Sequence, residues 1–457
     1  MEETSSDMKH IASVFSCSIG NILEWYDFGL FTIFSSLFSH LFFPTSNTHL
    51  ALLATISIFS IGFFCRPLGA LLFGYIGDKQ GRAKTIRLSI LMITLPTLII
   101  AFLPSYQKIG IIAPILLILV RMWQGISIGG EYSGNMIYLA ETAPPAYQAT
   151  VTSFASIGAN SGILLASLVG IMTHYLNPHA LQTWGWRVCY LISGLICLII
   201  YCFRLQIQET AIFEQLKKEK KIINNPIKFV FKNHFLLLLR TLGLVCMGST
   251  FYFFCFVYLP LFFIQHLSLP IFKVSLLMST LMIIMIFIVP IAGLICDHVG
   301  RRKMLLFNAT LITVSIVPGF YFLQWQPIIL LTVILLLFTI ASALEQGVTP
   351  ITLIENFPAA TRYTGISLGY NIGSGFLGGT IPFICEWLWI HLSPLAPALY
   401  VGSCALITGI VAFFFIPKCK KNQMQHFENG VEEDRTPDLR IANATLSQLS
   451  YDPKKEV

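Results

Sequence analysis

Twelve continuous apolar runs constrain this chain more than anything else in it. Hydrocarbon about 30 Å thick is crossed by about 20 apolar residues, and only a helix or a closed barrel satisfies its own backbone there. The runs do not alternate apolar with polar residues as barrel strands do, so they predict an all-α integral membrane protein. They span 13–43, 50–77, 86–104, 110–140, 150–176, 185–205, 234–265, 273–296, 304–323, 327–354, 363–391 and 395–416. Pro44, Asn47, Pro104, Asn177, Pro178, Ser393 and Pro394 punctuate the connections, as residues that break helices should.

The chain also repeats itself. The frame Gly-x-x-x-Asp-x-x-Gly-Arg occurs at Gly74, Asp78, Gly81 and Arg82, and again 219 residues later at Gly293, Asp297, Gly300 and Arg301. A second echo ends the fourth run of each half: Glu141-Thr-Ala-Pro144 and Glu355-Asn-Phe-Pro358. Repeats of this kind predict two pseudo-symmetric six-helix bundles, 13–205 and 234–416, joined by a linker at 206–233. Ile212, Phe213 and Leu216 could place an amphipathic helix in the linker; a plain solvated connection fits its mixed charges equally well. Residues 1–12 precede the first run and 417–457 follow the last; from 422 the tail is polar, without apolar periodicity, and is expected to be disordered. No heptad run is present, so no coiled coil is expected, and Asn443 heads a glycosylation sequon without meaning on a cytoplasmic tail.

The net charge of +7 does not point to nucleic acid, because the basic residues sit in short gaps between runs. Alternate gaps carry Lys79, Arg82, Lys84 and Arg87, then six lysines between Lys217 and Lys232, then Arg301, Arg302 and Lys303, then Arg362; Lys418, Lys420 and Lys421 follow the last run. The opposite gaps hold little beyond Lys108, Arg187 and Lys273. The positive-inside rule then puts both termini in the cytoplasm. Met1–His10 lacks a basic signal-peptide start, and the eleven cysteines show no metal or disulfide spacing. No phosphate loop, His-Glu-x-x-His or Gly-x-Ser-x-Gly motif occurs. The expectation is therefore no enzyme, no cofactor and no metal. Transport by such a chain would have to draw on an ion gradient or run downhill; the expected partners are a small solute, protons and lipid, with the protein expected to be a monomer.

Charge inside a span is expensive and marks function by default. Asn21, Glu24 and Asp27 form one polar stripe on the first run; Asp27 lies about 24 Å from Phe43, in mid-span. Arg121, Gln124, Ser127, Glu131 and Asn135 form another on the fourth. A buried carboxylate facing an arginine is an apparatus for proton coupling, since burial penalises its charge and the cation restores it. Asp27 with Arg121 is the expected pair. Glu24 is a second candidate for proton or solute, and Glu131 either shares that work or pairs with Arg66 to fix packing. Glu345 and Glu386 are intramembrane carboxylates whose partners the sequence does not name. Trp25, Tyr26 and Trp123 adjoin the stripes and either cage a quaternary ammonium or simply pack. With Asn21, Arg66, Gln124 and Glu345 they are the expected cavity residues. The glycines at 125, 129, 130 and 134, and those at 369–379, read as close helix packing.

At these residues the chain resembles the major facilitator superfamily. More narrowly, Gly20–Gly29, Arg66-Pro-Leu-Gly69, Arg121–Gly134 and Trp184-Gly-Trp-Arg187 resemble its metabolite:proton symporters, which carry proline, betaine or organic acids. The resemblance implies two bundles rocking about a central site. It implies that Asp78 and Asp297 brace a cytoplasmic gate, with Arg82 and Arg301 near Glu141 and Glu355. It implies proton symport of a small zwitterion such as proline or betaine, or of a carboxylate. A receptor without transport on the same fold is the remaining alternative.

Overall fold

The structure, a computed structural model, describes residues 2–43, 48–174, 178–324 and 328–417. The predicted disordered tail with Asn443, the lysines from Lys418, and the turn residues Pro44, Asn47 and Asn177 lie outside the described residues. The first half contains α1 (Glu2–Ile33), α2 (Thr48–Gln80), α3 (Arg82–Phe102), α4 (Ile112–Thr142), α5 (Gln148–His174) and α6 (Trp186–Arg204). The second contains α7 (Phe235–Gln265), α8 (Ile271–Val299), α9 (Arg301–Leu323), α10 (Ile328–Glu355), α11 (362–391) and α12 (Ala396–Phe415). Among the described residues nine helices are long and apolar enough to cross a membrane. The 32-residue α1, the 33-residue α2 and the interrupted α11 complete the twelve.

The protein is inside out relative to a soluble one. Phe287, Val314, Phe383 and Phe414 are each at least 68% exposed, whereas Arg66, Arg82, Arg121 and Arg204 are among the largest fully buried side chains. That distribution suits hydrocarbon outside and a polar interior that must satisfy itself. Close approach is arranged by glycine. A Cβ on Gly125 would stand 2.1 Å from the Gly62 carbonyl oxygen, and one on Gly129 2.2 Å from that of Arg66, so α4 lies directly on α2. The halves meet along two related seams, α2 against α11 and α5 against α8.

Two elements differ from the sequence expectation. The first run breaks at Phe34, and Ser35–Phe42 forms a separate helix whose Phe38 lies 5.1 Å, ring to ring, from Trp186. Aromatic packing there outweighs continuation of a straight helix. The linker folds as two short helices, Ala211–Lys218 and Pro226–Asn233, each started by a side-chain cap: Thr210 accepts from Phe213 N and Asn225 from Lys228 N. Phe213 and Leu216 are buried, so the first of these helices docks on protein and the linker is not a plain solvated coil. Three segments widen to π-helical turns, Leu181–Gly185, Phe254–Tyr258 and Gly373–Gly378. Such turns are frequent at functional sites, and the last two flank the cavity described below.

Candidate functional site

The repeated loops build a two-part latch at one end of the molecule. Asp78 ends α2 and accepts from Tyr363 N at 3.0 Å and Thr364 N at 2.9 Å, the free amides that begin α11 of the other half. Asp297 ends α8 and accepts from Ala149 N and Thr150 N, both at 2.9 Å, at the start of α5. A carboxylate on a helix amino terminus satisfies orphan amides and meets the positive end of the helix dipole. Each aspartate therefore caps a helix of the opposite half. Gly81 and Gly300 turn the chain with φ of 110° and 92°, a region that side chains with a Cβ rarely adopt. A Cβ on Gly77 would lie 2.2 Å from the Tyr363 ring, which accounts for glycine ahead of Asp78.

Arginines tie the caps inward. Arg82 donates from Nε to Glu141 at 3.2 Å, from Nη1 to the Gly77 carbonyl at 2.8 Å, and from Nη2 to the Ala359 carbonyl across the seam at 2.5 Å. Arg362 of the second half adds a bond to Glu141 at 2.9 Å. Arg301 repeats the arrangement with Asp297 at 3.3 Å and Glu355 at 3.1 Å. The copies differ in burial: the Arg82 and Glu141 side chains are 0% exposed, while that of Glu355 is 48% exposed. The linker makes the difference. Glu209 accepts from Arg82 N at 3.0 Å, Thr210 donates to Glu141 at 2.7 Å, and the Phe213 ring lies 5.2 Å from the Arg82 guanidinium.

Inside the first half, two ion pairs occupy the polar stripes. Arg121 Nη1 donates to Asp27 at 3.0 Å and to Gln124 at 2.7 Å; Thr97 of α3 donates to the second Asp27 oxygen at 3.1 Å. The guanidinium lies 3.7 Å from the Phe31 ring centre. Glu131 is held at both oxygens by Arg204 of α6, at 2.7 and 2.9 Å, and also accepts from Ser89 and Asn135. Asn135 then donates to Asn21 at 2.7 Å. This bidentate, saturated arrangement joins four helices and fixes their packing. Glu24 is 1% exposed, and neither of its oxygens has a hydrogen-bond partner.

A cavity lies between the halves, lined by α1, α4 and α5 from one and α7, α10 and α11 from the other. Among the described residues Glu345 is the sole carboxylate in its wall, and a Cβ on Gly248 would stand 2.0 Å from it, so glycine makes the room. Trp25, Tyr132, Tyr252, Phe253 and Tyr370 surround the space, and among the described residues no Lys or Arg lines it. Tyr132 and Tyr370 stack across the seam with centres 5.0 Å apart. Asn160 donates to Gln346 at 2.6 Å and accepts from Tyr252 at 3.2 Å, a polar bridge between the halves. The Trp25 Nε1 donor has no partner.

A family model described as Major Facilitator Superfamily matches residues 17–382. The chain belongs to the major facilitator superfamily. This facilitator is 31% identical over 418 residues to a protein named proline/betaine transporter from Salmonella typhimurium, covering 88% of this chain and 83% of that one. It is equally identical over 465 residues to the proline/betaine transporter of Escherichia coli K12, covering 96% and 93%. In fold it matches the proton:xylose symporter XylE bound to 6-bromo-6-deoxy-D-glucose, with a TM-score of 0.74 at 17% identity over 90% of this chain and 97% of that one. The inward-open conformation of XylE from E. coli matches less well, with a TM-score of 0.64 at 16% identity over 93% and 100%. The facilitator is a multi-pass membrane transporter.

Its sequence-predicted residues sort into three places. Gly74, Asp78, Gly81, Arg82, Glu141, Asp297, Gly300, Arg301 and Glu355 all lie in the latch or on its seam; a Cβ on Gly74 would meet the Thr364 backbone at 2.8 Å. Trp25 and Glu345 line the cavity. Asn21, Tyr26, Arg66, Trp123 and Gln124 do not, nor do Glu24, Asp27, Arg121 and Glu131. The cause is helix rotation: Asn21 and Asp27 of the stripe bond to α3, α4 and α5 within the first half, whereas Trp25 points about 100° away from Glu24, toward the second half. Glu131 pairs with Arg204 and not with Arg66, and Glu386 sits 3.0 Å from His266, partly exposed at the far end of α11. Sequence reading passed over Arg204, Glu209 and Asn371. Arg204 was findable as a charge near the end of an apolar run. Glu209 and Asn371 carried no signal, because their partners are set by docking.

Proposed function

We propose that this facilitator couples inward proton movement to uptake of a small zwitterion bearing an ammonium group, of the proline or betaine kind. The observation that carries the reading is the cavity wall: one carboxylate without an ion-pair partner, an aromatic surround and no cation. Glu345 receives the ammonium, the aromatic faces favour it by cation–π attraction, and the free Trp25 N–H is available to the solute carboxylate. The names of the Salmonella and E. coli relatives agree with that chemistry. A dicarboxylate or tricarboxylate would enter a negative, cation-free space, since Arg66 and Arg121 stand outside the lining. The coupling groups are the carboxylates of α1, Asp27 and Glu24, buried within the first half; XylE, the fold neighbour, is named a proton symporter. The latch is assigned to the cytoplasmic side, in a bacterial inner membrane with both termini inside, from the basic gaps in the sequence.

Glu345→Gln tests the solute assignment. Betaine or proline bound to the purified protein is expected to weaken by about tenfold or more, as one charge-assisted contact of about 1.4 kcal/mol is lost. Citrate and 2-oxoglutarate are expected to leave the melting temperature of the wild type unchanged. Stabilisation by a carboxylate and not by betaine would reverse the assignment.

A further inference from the structure

We propose that Arg66 is a switch residue that exchanges Asn371 of the second half for Glu24 of the first, so that parting of the halves at the latch end drives the Glu24 proton off. The inference rests on the proton-coupled reading above and adds the device that ties protonation to conformation. Arg66 is 1% exposed on α2 and donates from Nε to Asn371 Oδ1 of α11 at 3.0 Å. Its Nη2 has no partner. Glu24, on the neighbouring helix, is a buried carboxylate with no hydrogen bond to either oxygen. A guanidinium with a free arm and a carboxylate without a partner thus share one polar interior without touching. That is an expensive arrangement for charged groups in a membrane, and a neutral Glu24 removes the cost.

What holds the two apart is a contact between halves. Asn371 is fixed by donating to the Gly129 carbonyl of α4 at 2.9 Å and to Ser367 O at 2.8 Å. Ser133 and Ser367 bond across the same seam at 2.7 Å, and Tyr363 donates to the Gly130 carbonyl at 3.1 Å. All of these except the Asn371–Ser367 bond, which lies within α11, break together when α11 leaves α2 and α4. Arg66 then loses Asn371 and takes Glu24 as its acceptor. The O–H bond of neutral Glu24 breaks, its electron pair stays on the carboxylate, and the proton passes to water at the opened end. Closure returns Arg66 Nε to Asn371, and Glu24 takes a proton from water on the opposite side. Tyr370, next in sequence to Asn371, lines the cavity and lies 5.9 Å from the Arg66 guanidinium, which places the solute one ring away from the switch.

The charges acting on Glu24 are few: Glu131 on α4, Arg204 on α6 and Arg66 on α2, with Tyr370 of α11 also in its field. Between Gln148 and Thr173, α5 carries no titratable side chain. Glu131 and Arg204 satisfy one another, so Arg66 is the member free to change.

The test is a pH titration of tryptophan fluorescence on the purified full-length protein without solute, using the part of the signal lost in Trp25→Phe. Asn371→Ala releases Arg66 and is expected to move the midpoint down by about one pH unit. Asn371→Asp holds Arg66 more firmly and is expected to move it up. Neither shift is expected in a Glu24→Gln background. Loosened packing alone would not give opposite signs, and if Asn371→Ala fails to fold, the Asp variant still reports. Unchanged midpoints, or shifts that persist without Glu24, would overturn the switch. Because no solute is present, an intact switch alongside absent proton-driven uptake would overturn the coupling reading alone.

Discussion

Arg82→Gln is expected to free the latch end by about 3 kcal/mol, seen as a roughly hundredfold faster hydrogen exchange at the amides of Tyr363 and Thr364. The guanidinium stands between two buried carboxylates and bonds a carbonyl of the opposite half, so its removal leaves Asp78 without its ion-pair partner, held only by the two amides that begin α11. Breaking one member of a buried ionic cluster costs far more than the intact cluster contributes, because the stranded charge remains. Arg301→Gln is expected to cost about 1 kcal/mol or less, since Glu355 already faces solvent and exposed pairs are weak. Equal effects at the two sites would show that the linker's cover over the first copy is energetically idle.

Asp27→Asn is expected to abolish accumulation of solute against its gradient while counterflow exchange persists at a reduced rate. The carboxylate has two hydrogen-bond partners, Arg121 and Thr97, one on each oxygen, and Gln124 completes the ring by bonding to both of them. Asparagine preserves the acceptor toward Thr97 or Arg121 and removes the charge that a proton neutralises. Stability is expected to fall by about 3 kcal/mol, because Arg121 stays buried with its partner neutral. Paired measurements of driven uptake and counterflow check the prediction. Uphill accumulation equal to wild type would return Asp27 to a purely packing role.

The twelve helices, the doubled latch and the halves were legible because each rests on a local signal: apolar length, a breaker, or a motif at fixed spacing. The placing of Arg82 near Glu141 and of Arg301 near Glu355 came from the family resemblance that the repeated loops carry. What was not legible depends on helix rotation and on docking. The stripe at Asn21, Glu24 and Asp27 was visible as a stripe, but nothing in its period says which neighbour it faces, and it faces inward and not toward the cavity. Trp25 reaches the cavity from a helix whose polar stripe does not, whereas Glu345 reaches it beside Gln346 and Thr349 of the same helix. The choice of Arg204 over Arg66 for Glu131 is a matter of which arginine arrives with both nitrogens aligned, and that is tertiary geometry. The unequal burial of the two latch copies comes from a linker that the sequence left open between helix and coil.

The central claim is proton-coupled uptake of an ammonium-bearing zwitterion. Uptake of labelled betaine or proline into proteoliposomes under an imposed inward proton gradient tests it most directly. Accumulation above the external concentration, collapsed by a protonophore, is the predicted result. Equilibration without accumulation, or accumulation that the protonophore leaves intact, would contradict it.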